Sequence, residues 1–274
     1  MLVDTHAHLD FPDYAEDLPQ VLERADAAGV TRIINISTSL ASCLRSVSLA
    51  EAHPQIFAAL GIHPCNVDES PDAIREPLGR LLAHPKVVAV GETGLDYHRA
   101  GDPPEDKGAR VVWEKNRLRQ ATFFREQLIL AEAHGLSVVV HQRESWEDTL
   151  GILRPFSGRV RAVFHCFGGT LAQAEELLSL GFSVSFTGIA TFKNAASVHE
   201  TAAKLPAGTF FLETDCPFLA PAPHRGKRCE PAHTRLIAER IAHLRGESLE
   251  ELAAHTTTAA EAFFRRPVQG NAQT

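Results

Sequence analysis

The feature that most restricts the fold of this chain is a repeated alternation of short β-forming runs with longer helical stretches. Runs rich in branched and aromatic residues occupy 2–6, 32–37, 56–63, 87–92, 137–141, 161–165, 182–186 and 209–215. Between them the period changes to that of a helix. Leu18, Val21, Leu22 and Ala25 stand at i, i+3, i+4 and i+7, with Gly29 after them as a helix stop. Leu40, Cys43, Leu44 and Val47 repeat the pattern before Pro54, and residues 114–134 read as one long helix ended by Gly135. Ser248-x-x-Glu251 and Thr258-x-x-Glu261 have the form of capping boxes. Eight such units predict an α/β fold, a (β/α)8 TIM-like barrel in a single domain over residues 1–266. The 274 residues suit this, since one barrel takes about 250. An open doubly wound sheet is the runner-up. It would want a glycine-rich phosphate loop after the first strand, where His6-Ala7-His8 stands instead.

Three segments fall outside the alternation. Residues 99–112, with Gly101, Pro103, Pro104, Gly108 and many charges, read as a mobile loop after the fourth strand. Residues 221–231 are irregular and basic at their centre, and 267–274 read as a disordered polar tail. The first residues lack the basic-then-apolar pattern of a secretory leader, and no apolar run reaches the roughly 18 residues of a membrane span. Five scattered cysteines, none in C-x-x-C spacing, argue against a disulfide framework or a structural zinc module. A cytoplasmic protein without a membrane or obligate protein partner is expected.

The residues able to do chemistry gather where barrels build their active sites, at the carboxyl ends of strands. His6 and His8 close the first run, and alternation along a strand points both the same way. Glu92 ends the fourth run, His141 the fifth, His165 the sixth and Asp215 the eighth. Buried together without a cation, four imidazoles and two carboxylates would carry heavy desolvation and repulsion. Six donors exceed the three that one catalytic zinc takes from protein, so two divalent ions roughly 3.5–4 Å apart are expected. Glu92 is assigned as the bridge, because a carboxylate has two oxygens to share. His6, His8 and Asp215 then complete one site, and His141 and His165 the other. Imidazole-rich ligation favours zinc, manganese or iron, with magnesium recruited only alongside a phosphate substrate. Asp215 is expected to orient the attacking water and take its proton, which makes Asp215 and Glu92 the catalytic pair. Glu213, two residues before Asp215, is expected to orient a ligand. Cys166 and Cys216 should point away from the site as packing residues.

These residues also carry a family resemblance. The segments Asp4-Thr5-His6-Ala7-His8, Gly61-Ile62-His63-Pro64, Gly91-Glu92-Thr93-Gly94-Leu95-Asp96 and His165-Cys166-Phe167 resemble the TatD family of metal-dependent deoxyribonucleases. So do Phe186-Thr187-Gly188-Ile189, Glu213-Thr214-Asp215-Cys216-Pro217 and Arg225-Gly226-Lys227-Arg228, and the likeness runs over residues 1–266. It implies a barrel of the amidohydrolase kind, divalent metals on the six donors, and hydrolysis of DNA, typically 3′→5′. Single-stranded DNA or 3′ ends are then the expected substrate. Candidate contacts to it are His63, Tyr97, His98, Arg143, Arg225, Lys227 and Arg228, the last three forming a basic loop after the eighth strand. A net charge of −7 leaves attraction for phosphates to such local features. Three positions depart from the family pattern: Cys229 replaces an Asn, Gly169 a Ser, and Gln142 a small or thiol residue. Cys229 lies in the loop expected to meet substrate. Two other readings stay open: hydrolysis of a small amide, ester or lactone (or deamination of a small ring) on the same metals, and a binding scaffold with vestigial metals.

Overall fold

Branched residues at every second position build a sheet with two apolar faces, and here that sheet closes on itself. The computed structural model describes residues 1–99 and 101–265. Its strands are β1 (Leu2–Ala7), β2 (Val30–Ile36), β3 (Ile56–Leu60), β4 (Val87–Asp96), β5 (Ser137–Arg143), β6 (Ala162–Phe164), β7 (Ser183–Phe186) and β8 (Phe210–Leu212). They lie in chain order, all parallel. β1 and β8 meet at one isolated bridge, Ala7 with Cys216, flanked by Asp215 N–H to His6 O and His8 N–H to Cys216 O, each 2.9 Å. This seam completes the (β/α)8 barrel predicted from the alternation.

The helices are α1 (Leu18–Ala27), α2 (Leu40–Ala52), α3 (Arg75–Leu82), α4 (Lys107–His134), α5 (Trp146–Leu153), α6 (Leu171–Ser179), α7 (Ala196–Lys204), α8 (Thr234–Arg245) and α9 (Leu249–Phe263). Alternation separates two cores. Ile33, Ala58, Leu60, Val138, Val140, Phe164 and Phe210 face the helices. Val3, Ile34, Ile36, Ala59, Val139, Val163 and Phe211 pack together inside the barrel with Phe263 and Phe264 from the end of α9. Among the described residues, no helix is long and apolar enough to cross a membrane.

Two sequence expectations need correction. The loop expected over 99–112 ends early, because α4 starts at Lys107. Asp106 caps it by accepting from Ala109 N at 2.8 Å, and Arg110 and Glu114 pair one turn apart. The charges read as loop are the solvated face of the first helical turns. Thr258-x-x-Glu261 caps nothing, since both residues lie within α9; Ser248 and Glu251 form the box that starts it. The tail expected over 267–274 lies outside the described residues.

α4 also carries two buried glutamines that hold the upper end of the barrel. Gln127 accepts from Ile62 N at 2.8 Å and donates to Thr93 Oγ1 at 2.7 Å, while Gln120 accepts from Asp96 N at 2.9 Å. The β4–β5 ladder shifts register between Val90 and Thr93. Such a shift leaves backbone groups off the ladder, and these side chains bond to Thr93 and Asp96 at and beyond it and to Ile62 just past the end of β3.

Candidate metal centre

The alternation that fills the barrel also aims the donors. Val139 and His141, and Val163 and His165, are two residues apart; the valines point inside, so the imidazoles reach the carboxyl-end mouth above them. His6 and His8 arrive from β1. Asp215 arrives from the turn after β8, where its own φ is +56°. Glu92 lies at the irregular step in β4, between Gly91 (φ +148°) and Gly94 (φ +142°). A Cβ on Gly91 would sit 2.8 Å from Val139 Cβ, and one on Gly94 would sit 2.0 Å from His141 O. Only glycine lets β4 press this closely on β5 where Glu92 meets His141.

Glu92 is the centre of the arrangement, and its two oxygens face different partners. Oε1 lies 2.7 Å from His141 Nδ1, 2.6 Å from His165 Nε2 and 3.6 Å from His63 Nε2. Oε2 lies 3.4 Å from His6 Nε2 and 4.0 Å from His8 Nε2. Asp215 Oδ1 closes the second side, 3.6 Å from His6 Nε2 and 3.5 Å from His8 Nε2. Three overlapping groups result that could hold a metal: His6, Glu92 and His165; His6, His8 and Asp215; and His63, Glu92 and His141. All of these side chains except Asp215, His63, His141 and His165 are fully buried, and those four are half-buried at the mouth.

The hydrogen-bond partners show what the donors can hold. His8 Nδ1 is 2.9 Å from Ile36 O, so in the neutral ring it carries the proton and the Nε2 lone pair faces inward. That lone pair is 3.2 Å from His6 Nε2, which also faces two carboxylate oxygens. His6 Nδ1 and His165 Nδ1 are buried with no hydrogen-bond partner among the described residues. A ring of inward lone pairs and carboxylate oxygens with orphaned outer nitrogens is the donor chemistry of a divalent transition cation, and the residues fit one. Burial alone would raise Glu92 and Asp215. The surrounding histidines outweigh it, holding Glu92 well below and Asp215 below the usual carboxylate range. Both are therefore ionised and ready as ligands.

His63 differs from the other imidazoles. Its Nδ1 accepts from Cys65 N at 3.0 Å, so in the neutral ring the proton is on Nε2, and that N–H faces His141 Nδ1 at 3.3 Å. Burial keeps the ring neutral by pushing its pKa down to about 3. His63 thus turns a donor, not a lone pair, towards the centre.

Three carboxylates support the cluster from behind. Asp96, assigned no role from the sequence, has Oδ2 3.0 Å from His141 Nε2 and accepts from Arg99 N at 3.0 Å. It fixes His141 with Nδ1 turned inward. The signal was available: residues 92, 94 and 96 of one strand share a face. Glu213 accepts from Cys166 N and Ser185 Oγ, both at 2.6 Å, and stands 3.6 Å from His165 Nδ1. Asp4 accepts from His6 N at 3.2 Å, and from Thr214 N and Oγ1 at 2.9 and 2.6 Å, so it stitches β1 to the turn bearing Asp215. Burial raises its pKa to about 7 despite these bonds.

The expected substrate contacts are less uniform. Tyr97 donates to Asp148 Oδ2 at 2.7 Å, with the Arg117 guanidinium 3.5 Å above its ring, and His98 Nδ1 pairs with Glu144 Oε1 at 2.6 Å. Arg143 is exposed at the end of β5. In the basic loop, Lys227 is exposed and Arg225 lies 4.2 Å over the Phe192 ring. Arg228 is occupied. It grips both Asp17 oxygens at 2.8 and 2.6 Å and Asp13 O at 2.6 Å. Cys229, in the loop expected to meet substrate, is itself wholly buried, and its carbonyl accepts from Tyr14 OH at 2.5 Å. Cys216 is buried as expected. The other departures also have local causes. A Cβ on Gly169 would meet the Phe167 ring at 2.6 Å, and the Gln142 carbonyl, turned to the start of α5, reaches Ser145 N and Trp146 N at 3.1 Å.

Known proteins resemble this chain along nearly its whole length. The sequence pattern of the family described as TatD related DNase matches residues 3–265. YabD of Bacillus subtilis, named an uncharacterized metal-dependent hydrolase, is 38% identical over 267 residues, covering 97% of this chain and 99% of YabD. YcfH of Escherichia coli K12, named likewise, is 39% identical over 260 residues, covering 93% and 92%. The crystal structure of YJJV, a TatD homologue from Escherichia coli K12, superposes with a TM-score of 0.87 at 33% identity, covering 97% of this chain and 98% of that one.

Proposed function

Since the chain belongs to the TatD-related DNase family of metal-dependent hydrolases, we propose that it is a deoxyribonuclease that cleaves DNA phosphodiesters on two divalent cations. The observation that carries the reading is the division of Glu92, with Oε2 towards His6 and His8 and Oε1 towards His141 and His165. One carboxylate serving two imidazole pairs is the arrangement of a bridge. His6, His8 and Asp215 would hold one ion and His141 and His165 the other, with zinc or manganese favoured by the nitrogen-rich set. When bound, the ions supply Lewis-acid activation of water and neutralisation of phosphate charge. Asp215, kept ionised by the imidazoles around it, takes the proton of the attacking water. His63 directs its Nε2–H at the centre, placed to hydrogen-bond a substrate oxygen. Asp96, bonded to His141 Nε2, keeps that ring from rotating out, and Glu213 stands 3.6 Å behind His165 Nδ1. Cleavage from the 3′ end of single strands is the polarity we assign by family likeness.

The test is metal-loaded protein assayed in parallel on single-stranded DNA, duplex DNA and a simple carboxyl ester. Elemental analysis is expected to find up to two divalent ions per chain. Chelation should abolish DNA cleavage, and re-addition of zinc or manganese should restore it. Full activity in EDTA from metal-free protein would refute the centre. Preference for the ester over both DNAs would refute the nuclease reading and leave a metal-dependent hydrolase of small substrates.

The basic loop gives a second expected result. Lys227→Ala should weaken single-stranded DNA binding and reduce the log–log salt slope by about 0.7 for one lost phosphate contact. Arg228→Ala should leave the slope unchanged, because its guanidinium is spent on Asp17 and Asp13. Its effect should be structural, a drop of at most a few degrees in melting temperature, as for an exposed ion pair. Equal changes in slope from both variants would show that Arg228 leaves Asp17 to bind DNA.

A further inference from the structure

Phe218 stands three residues after Asp215 with 52% of its surface exposed, yet its backbone is firmly held. Its N–H donates to Asp215 O at 2.9 Å, and Pro217 O accepts from Cys229 N at 3.0 Å. Leu219 O packs against Gly188 so closely that a Cβ there would come within 2.0 Å. The exposure therefore does not come from a loose loop; the fold holds this ring out in water. Among the described residues it is the one aromatic side chain of the large exposed hydrophobic set, the others being Met1, Leu44, Val111, Val112, Leu118 and Ile129.

Its neighbours connect it to the metal centre. The Phe218 ring lies 6.2 Å from Phe11 and 6.3 Å from His8, edge to face in both cases. Phe11 in turn stacks on His8 at 4.8 Å with 22° between planes. The rings form a step leading outward from the donor set. Further along the same post-β8 segment, Lys227 and Arg225 present exposed cations. A planar apolar face beside the candidate centre, on a segment that also carries two exposed cations, matches a nucleobase on a charged backbone, because every base has a π-face to stack.

We propose that Phe218, braced by Phe11, stacks the base of the nucleotide next to the scissile phosphate and so sets substrate affinity without reading base identity. The proposal rests on the nuclease reading above. Stacking explains why the ring is held exposed: its partner arrives with the substrate. The base lies along the step while the adjoining phosphate reaches the donor cluster, which makes Phe218 a determinant of substrate affinity rather than of the chemical step.

The experiment compares wild type, Phe218→Ala, Phe218→Leu and Phe218→Trp, all metal-loaded, on two single-stranded oligonucleotides. One is natural, and the other has abasic residues flanking the cleaved bond. On the natural strand Phe218→Ala should raise KM about 5- to 100-fold, with kcat within about twofold. Phe218→Trp should retain wild-type KM, and Phe218→Leu should resemble alanine, being apolar but not planar. On the abasic strand wild type should already show the raised KM, with no further loss in Phe218→Ala. Equal losses on both strands, rescue by leucine as complete as by tryptophan, or no loss on either strand would overturn the proposal. If an alanine variant failed to fold, equal wild-type KM on the two strands would overturn it just as well. A wild type that cleaves neither strand would remove the nuclease reading and this proposal together, whereas cleavage of both without dependence on residue 218 would remove the stacking alone.

Discussion

Replacing Glu92 with alanine is expected to lower both metal occupancy and turnover more than any other single change in the chain. Its two oxygens are the contact shared by the imidazoles of β1 and those of β5 and β6. Without it His6 and His8 face His141 and His165 with no negative charge between them, and cations brought close together would repel without a screen. Loss of bridged charge stabilisation amounts to several kcal/mol in the transition state, or on the order of 1,000-fold or more in kcat. Elemental analysis and kcat at saturating zinc or manganese measure both effects. Glu92→Gln, of the same shape but uncharged, should also lose metal, which separates charge from packing. An alanine variant that kept two ions and turnover within tenfold of wild type would show that Glu92 is not the bridge.

The second large effect is expected at Asp215. Asp215→Asn keeps the side chain's size and one oxygen for His6 and His8, but an amide nitrogen cannot accept a proton. Turnover should fall about 100- to 10,000-fold, the range of a lost general base. Folding should be little changed, because the turn is fixed through other groups. Asp4 binds Thr214, and Asp215 uses its backbone N–H on His6 O and its carbonyl on Phe218 N. Metal content should fall less than in Glu92→Ala. Turnover near wild type at saturating metal would assign the proton to another group.

The barrel and the clustering of its candidate donors were legible because both follow from period two. Residues that alternate with buried valines must share their face, and a strand's last such residue stands at the mouth; His141 and His165 follow directly. His6-Ala7-His8 needs nothing but spacing. What the sequence could not show depends on contacts between distant segments. Arg228 reads as a free cation until Asp17 is placed beside it. Cys229 reads as loop until Tyr14 is found covering it. Asp96 shares a strand face with Glu92, but its role depends on which nitrogen His141 turns towards it, a matter of ring orientation on the next strand. Residues 107–112 looked unstructured because charge and glycine suggest a loop, and the cap from Asp106 decided otherwise.

The seam between β1 and β8 gives the centre an order in time. One group of donors draws His6 and His8 from the first strand and Asp215 from beyond the last. During synthesis at roughly 5–20 residues per second, the two histidines emerge roughly 10–40 s before the aspartate that completes their set. Until then they belong to an open sheet with an unpaired edge. The hydrogen bonds from Asp215 N–H to His6 O and from His8 N–H to Cys216 O form when that edge is covered, and they place the three donors together in the same act. The full set of candidate donors is therefore brought together only in a finished barrel.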